Sequence, residues 1–316
     1  MSSLLDRALV ATLPYVPRAV VGRVASRYIA GERVEQAVAA IREINDRGLP
    51  ASVAILGESV RSERAARAMA AEYGELLTVL REQQLRCNVS LKPTAFGLEL
   101  SDELAHELVD AFCRDAGLDG TFVRVEMEHP ESITAILNHY SRLRVDHPAT
   151  GTVLQSMMRR TAGDIAEREL PEVRLVKGIY LAGPELAYGA PDDVRASFLS
   201  GAESLFAKGA RVALATHDDR LIDALLELVT RLGLPRERYE FQVLLGVREE
   251  LQPRLQRAGQ PLRVYVPYGA RWYDYSVRRL RENPRIASYV ARAAIGRAVN
   301  LPRRALARGA ARTPRP

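Results

Sequence analysis

The chain has 316 residues, 47% of them hydrophobic, and a formal net charge of +6. That length accommodates one large α/β barrel or two ordinary domains, with ample apolar content for a core. Cys87 and Cys113 show neither metal-ligand spacing nor a disulfide framework, and no stretch approaches the ~18 uninterrupted apolar residues of a spanning helix.

Residues 1–50 read as a helical segment broken at Pro14 and Pro17 and closed at Gly48-Leu49-Pro50. From there short β-rich runs recur at Ser52–Leu56, Asn88–Leu91, Thr121–Met127, Thr152–Ser156, Val173–Ile179, Arg211–Thr216, Tyr239–Leu245 and Leu262–Val266. Between them lie helical patterns at Ser62–Glu82, Asp102–Ala116, Ser132–Leu143, Met158–Glu169, Val194–Lys208, Arg220–Leu232 and Val247–Gln256. This alternation predicts a distorted (β/α)8 TIM-type barrel over 51–300. A basic tail over 301–316, with further arginines at Arg292 and Arg297 just before it, carries much of the positive excess and reads as a solvated end.

Polar residues fall late in these runs or just beyond them: Lys92, Glu126 and Glu128, Gln155, Lys177, Thr216 and His217, Gln242 and Tyr265. The C-terminal strand ends of such barrels form the active-site mouth, so this placement marks a site. After the eighth run a helix is expected to end at Asn283-Pro284, with Tyr275, Arg278, Arg279 and Glu282 on one face. An adjacent arginine pair suits a carboxylate or phosphate, although in isolation such a helix is more often simply solvated.

Lys92 and Glu126 are expected to pair across neighbouring strands, whether as a structural ion pair or in positioning a ligand. Gly178 lets a ligand approach the backbone after Arg174 and Lys177. Lys177 also admits Schiff-base chemistry, given a lowered pKa. His217 reads as a hydrogen-bonding partner for a ligand rather than a proton-transfer group. Neither a metal site, a Walker loop nor a strand–GxGxxG–helix unit is present in the pattern.

Four segments, Arg174-Leu-Val-Lys-Gly-Ile-Tyr180, Ala215-Thr-His217, Glu240-Phe-Gln-Val-Leu-Leu-Gly246 and Tyr275-x-x-Arg-Arg-x-x-Glu282, together resemble the proline dehydrogenases. The resemblance runs from about Ala51 to Glu282 and implies non-covalent FAD at the barrel mouth. It further implies oxidation of L-proline to Δ1-pyrroline-5-carboxylate, the first step of proline breakdown to glutamate, with electrons passed to a membrane quinone. By motif, Arg278, Arg279 and Lys92 would hold the proline carboxylate, and Glu282 would fix the arginine pair. Tyr180, Leu244, Tyr265 and Tyr275 would wall the ring, with Glu126 as partner to Lys92. Gln155, Arg174, Val176, Lys177, Gly178, Thr216, His217 and Gln242 would bind FAD, with Arg174 and Tyr265 nearest the chemistry.

The chain departs from the family pattern at Glu126 (usually aspartate), Leu181 (often tryptophan) and Asp218 (often asparagine), and over the short stretch 188–194. The cysteine usage makes a reducing cytoplasm the default, and the basic surface with its C-terminal arginines makes peripheral contact with an acidic membrane reasonable. A Lys177 Schiff-base aldolase acting on a phosphorylated substrate is the alternative enzyme reading. A nucleic-acid-binding module is the third, disfavoured because the barrel has no basic patch interleaved with aromatics.

Overall fold

The computed structural model describes residues 21–22, 25–273 and 275–276. Arg278, Arg279, Glu282 and the arginines from Arg292 to Arg315 lie outside the described residues, as do residues 1–20 and 23–24 of the N-terminal helical segment. The chain divides into two compact units, one formed by Arg27–Arg271 and the other by Met1–Ser26 with Trp272–Pro316.

The larger unit is a closed barrel of eight parallel strands in sequence order. The strands are β1 (Ala51–Ile55), β2 (Cys87–Leu91), β3 (Val123–Val125), β4 (Thr150–Gln155), β5 (Glu172–Val176), β6 (Arg211–Ala215), β7 (Tyr239–Leu244) and β8 (Leu262–Tyr268). β8 closes on β1 with Ala51 opposite Val264 and Ile55 opposite Tyr268. Around them stand α1 (Val34–Asp46), α2 (Glu63–Glu82), α3 (Asp102–Gly117), α4 (Ile133–Asp146), α5 (Thr161–Glu167), α6 (Pro191–Ala207), α7 (Asp219–Arg231) and α8 (Leu251–Arg257).

Three helices start at side-chain caps. Ser62 accepts from the Ala65 amide at 3.3 Å, Ser101 from Leu104 at 3.2 Å and Asp218 from Leu221 at 3.4 Å. Pro191 opens α6 at a position where its missing N–H costs nothing. Outward-facing Val53, Val89, Val125, Leu175, Leu214, Val243 and Val264 join Ile41, Leu76, Leu77, Ile136 and Leu225 in one apolar cluster between sheet and helices.

Several expected elements are shorter than their patterns, β3 most of all, with Val123–Val125 in place of Thr121–Met127. The helix after β4 begins only at Thr161, because the preceding residues pair with the β5–α6 loop instead. Met157 donates to the Lys177 carbonyl and Tyr188 to the Met157 carbonyl, both at 2.8 Å, and Arg159 donates to that of Leu186 at 2.9 Å. The same pairing, with Gly178 at φ 101°, ends β5 at Val176 rather than Ile179. The last helical pattern starts at Leu251 rather than Val247, after Arg248 adopts a left-handed φ of 49°.

Barrels of this type usually fill their interior with layers of branched apolar side chains. In this chain the layer nearest the strand starts is ionic. Glu172 accepts from Arg124 and Arg211, each at 2.9 Å; Glu240 accepts from Arg211 at 2.9 Å and from Arg263 at 2.8 Å. Gln242 also donates to Glu240, linking this floor to the residues above.

Burial opposes ionisation of Glu240, but the Arg263 and Arg211 guanidiniums outweigh it and hold the carboxyl at about 2. Its folded-state pKa therefore lies below the ordinary value of 4.5, and the unfolded chain takes up the extra proton on acidification. The stabilisation is fully present above about pH 4.5 and is lost as pH falls toward 2. Circular dichroism across that range should record a progressive loss of stability, and a flat profile would show that this floor contributes nothing.

In the smaller unit the Ser26 amide donates to the Gly22 carbonyl at 2.9 Å, and the Trp272 and Tyr273 rings meet edge-on with centroids 5.7 Å apart. Tyr275 and Ser276 are buried.

Candidate active site at the barrel mouth

Arg174 projects from the middle of β5 into the barrel and is 4% exposed. Nη1 donates to Glu126, Nε to the Gln242 amide oxygen, and Nη2 to Ser90 Oγ at 3.1 Å and Ser52 Oγ at 3.4 Å. Its guanidinium carbon lies 5.1 Å from the centroid of the Tyr265 ring. A buried cation needs this degree of satisfaction, and the planar fork distributes its donors over three other strands and the residue just beyond β3.

The expected Lys92–Glu126 pair does not form. Glu126 is taken by Arg174 from within the barrel, and Lys92 pairs with Glu58 at 2.7 Å. Leu91 and Val125 pair in register, so Lys92 and Glu126 stand level, and each takes a nearer counter-ion. Lys92 lies beyond the end of β2, as the N-cap of a 3-10 turn over Pro93–Phe96, at the level of the β1–α2 loop that carries Glu58. Glu58 also accepts from the Tyr180 hydroxyl at 3.4 Å and stands 3.9 Å from His129 Nε2, whose ring meets Tyr180 edge-on at 4.5 Å. Glu58 and His129 are site residues that the strand-end pattern did not expose.

Glu128 is fully buried. Burial pushes its carboxyl up to about 7, against the pull of Lys92 and of the hydrogen bonds from Thr94. Its backbone carbonyl accepts from the Gln155 amide nitrogen at 2.8 Å, while Gln155 Oε1 is buried with no hydrogen-bond partner among the described residues. Beside that oxygen lies Gly178, where a Cβ would collide with the Met157 side chain and come within 3.1 Å of Gln155 Oε1.

On the other side of the mouth, Asp218 accepts from Lys177 at 2.8 Å and from Arg195 at 2.9 Å. Partial burial raises its pKa, but those two cations prevail and hold it at about 2. Thr216 Oγ1 accepts from the Asp218 amide at 3.2 Å. His217 Nε2 accepts from the Leu244 amide at 2.9 Å, so the proton of the neutral ring resides on Nδ1. Arg248 donates to the His217 carbonyl at 3.1 Å and to Asp219 at 2.7 Å, tying the loops after β6 and β7 together. Gly246 sits at φ 63°, where any Cβ would fall on the Arg27 carbonyl oxygen. Val176, Leu244 and Tyr265 are half-buried, whereas Leu181 is 84% exposed.

One barrel mouth thus gathers Arg174, Glu126, Gln242 and Tyr265 at its centre. Lys92 and Tyr180 meet at Glu58, and Lys177, Thr216 and His217 surround Asp218 and the end of β7. The fold and these converging polar strand ends define a (β/α)8-barrel enzyme.

The proline dehydrogenase family profile matches residues 37–292. Proline dehydrogenase 1 of Bacillus subtilis (strain 168) is 36% identical over 268 residues, covering 84% of this chain and 89% of that protein. The proline dehydrogenase of Deinococcus radiodurans is 32% identical over 273 residues, covering 84% of this chain and 88% of its own. Among solved structures, proline utilization A from Bdellovibrio bacteriovorus, inactivated by N-propargylglycine, superposes with a TM-score of 0.76 at 25% identity. That match covers 83% of this chain and 33% of the other, so the chain spans a third of that longer protein. The chain belongs to the proline dehydrogenase family.

Proposed function

We propose that the protein oxidises L-proline to Δ1-pyrroline-5-carboxylate using non-covalently bound FAD, and that electrons leave for a membrane quinone. The observation that carries this reading is the agreement between family membership and the strand-end side chains gathered at one mouth around Arg174. The alternative Schiff-base reading loses support from the same geometry. Lys177 is tied in an ion pair with Asp218, whereas an aldolase lysine acts as an unpaired neutral amine.

The residues present fit a flavin. Gln155 Oε1 is a buried acceptor in want of a donor, and Gly178 bares backbone beside it. Lys177 and Arg195, both held on Asp218, place cations across the mouth beside His217. When bound there, the isoalloxazine supplies a two-electron acceptor for the hydride from proline C5. The chain's part is positioning and electrostatics. Arg174, held by Glu126 and Gln242, is a fixed cation at the heart of the site and favours negative charge developing nearby. Lys92 would share its charge between Glu58 and the proline carboxylate, with Arg278 and Arg279 completing the clamp. Tyr180 and Tyr265 would bound the ring. Fixing the carboxylate orients the ring for transfer, which is where such a clamp gains its rate advantage.

Replacing Arg279 with methionine should raise the proline KM by about 10²-fold, the loss of a bidentate charged contact, while FAD stays bound. Lys92→Ala should raise KM less, because two cations remain. Steady-state kinetics with flavin content measured alongside checks both. Unchanged turnover in Arg279→Met would remove the carboxylate assignment.

No helix among the described residues is long and apolar enough to cross a membrane. Delivery of electrons to a quinone therefore rests on peripheral contact in this reading, for which the C-terminal arginines are a candidate. Co-sedimentation with anionic vesicles at low and high salt tests that contact.

A further inference from the structure

We propose that Glu128 is a positioning residue that holds the Lys92 turn and the Glu58 loop through Thr94, and that it does so only while its carboxyl is ionised. The inference rests on the proline-oxidising reading above. Glu128 lies three residues beyond the end of β3, beneath the mouth, and is fully buried. Both its carboxyl oxygens are used by one residue: the Thr94 amide donates to Oε1 at 3.2 Å and the Thr94 hydroxyl donates to Oε2.

Thr94 in turn carries two neighbours. Its hydroxyl oxygen accepts from the Ser59 amide at 2.8 Å, and its carbonyl accepts from the Val60 amide at 3.2 Å. Ser59 is in a left-handed conformation, φ 49°, which such bonds must hold in place. It follows Glu58 directly, and Glu58 takes the Lys92 ammonium at 2.7 Å. Lys92 itself caps the turn that contains Thr94. Both sides of the Lys92–Glu58 pair therefore hang on Thr94, and Thr94 is anchored on Glu128.

Proton counting makes the arrangement sensitive to charge. A hydroxyl has a single proton; Thr94 donates its own to the carboxylate, while its oxygen accepts from Ser59. A proton on Glu128 Oε2 would have to point at that same oxygen and displace the threonine proton, and one on Oε1 would oppose the Thr94 amide proton, so either weakens one of the two bonds. The charged groups bearing on Glu128 are Lys92, which favours ionisation, and Glu99, which opposes it. Burial opposes it most, leaving the carboxyl near 7, so the two states exchange across the range in which enzymes are assayed.

The test is the pH dependence of the proline KM and of inactivation by N-propargylglycine, measured between about pH 6 and 8.5 in the wild type, Glu128→Gln and Thr94→Val. Glutamine keeps the shape and mimics the protonated acid; valine keeps Glu128 and deletes the relay. The substrate amine titrates identically in all three and cancels in the comparison. The wild-type KM should fall about tenfold more than that of either variant as pH rises, the size of one charged hydrogen bond, with the effect on KM exceeding that on kcat. Should Glu128→Gln fail to fold, Thr94→Val carries the comparison. Parallel KM profiles in the wild type and a folded variant would overturn this inference alone. A wild type that oxidises no proline would instead overturn the parent reading.

Discussion

In an Arg174→Met variant, proline turnover is expected to fall by about 10²–10³-fold, the usual loss when a preorganised charge-stabilising donor is removed. The structural consequence is larger than the loss of one charge. Glu126, with a side chain 13% exposed, would be left beside a thioether, and Gln242 Oε1, Ser90 and Ser52 would lose a shared donor. Stranding a largely buried carboxylate costs about 3–5 kcal/mol, so the variant should also melt earlier. Arg174→Lys separates the two effects. Lysine can still pair with Glu126 but lacks the planar fork that reaches Gln242 and both serines, so stability should largely recover while turnover does not. Kinetics and urea denaturation on the two variants decide it; full turnover in Arg174→Lys would mean that only the charge matters.

The largest effect on folding alone is expected at Glu240→Gln. This carboxylate accepts from Arg211 and Arg263 inside the barrel, and its side chain is 4% exposed. Removing the charge leaves Arg263 without a carboxylate and Arg124 and Arg211 on Glu172 alone, and breaking such a buried network costs about 3–5 kcal/mol. At about 2–4 °C per kcal/mol for a domain of this size, the melting temperature should drop by roughly 10 °C. Glu107→Gln is the control: its partner Arg67 is exposed on the outer helices, and no measurable change is expected. Equal melting temperatures for the two variants would show that the ionic floor is energetically idle.

The barrel was legible because parallel strands buried on both faces read as short apolar runs alternating with helical patterns, three of them opened by caps at Ser62, Ser101 and Asp218. Most of the mouth was legible for a related reason, since Lys92, Gln155, Lys177 and His217 break the apolar pattern where the strands end. Partner choice was not legible. Lys92 and Glu126 follow adjacent strands at the same level, but Arg174 inside the barrel takes Glu126 and Glu58 on the β1–α2 loop takes Lys92. Glu58 escaped notice because β1 has no polar residue at its end; the two residues after Ile55 are Leu56 and Gly57, and the carboxylate comes only after them. That gap at one strand of eight was itself the signal. The ionic floor was missed because Arg124, Glu172, Arg211, Glu240 and Arg263 lie early in their strands, where charge reads as surface. Asp218 was noted as a departure from the family pattern, but its consequence, a carboxylate joining Lys177 and Arg195, required coordinates.

The most direct measurement is an anaerobic titration of the purified protein with L-proline, followed by optical spectroscopy. The account predicts a yellow protein whose flavin band bleaches as proline is added, with the chromophore released intact on denaturation. A colourless protein that takes up no added FAD, or a bound flavin that stays oxidised under excess proline, would contradict it.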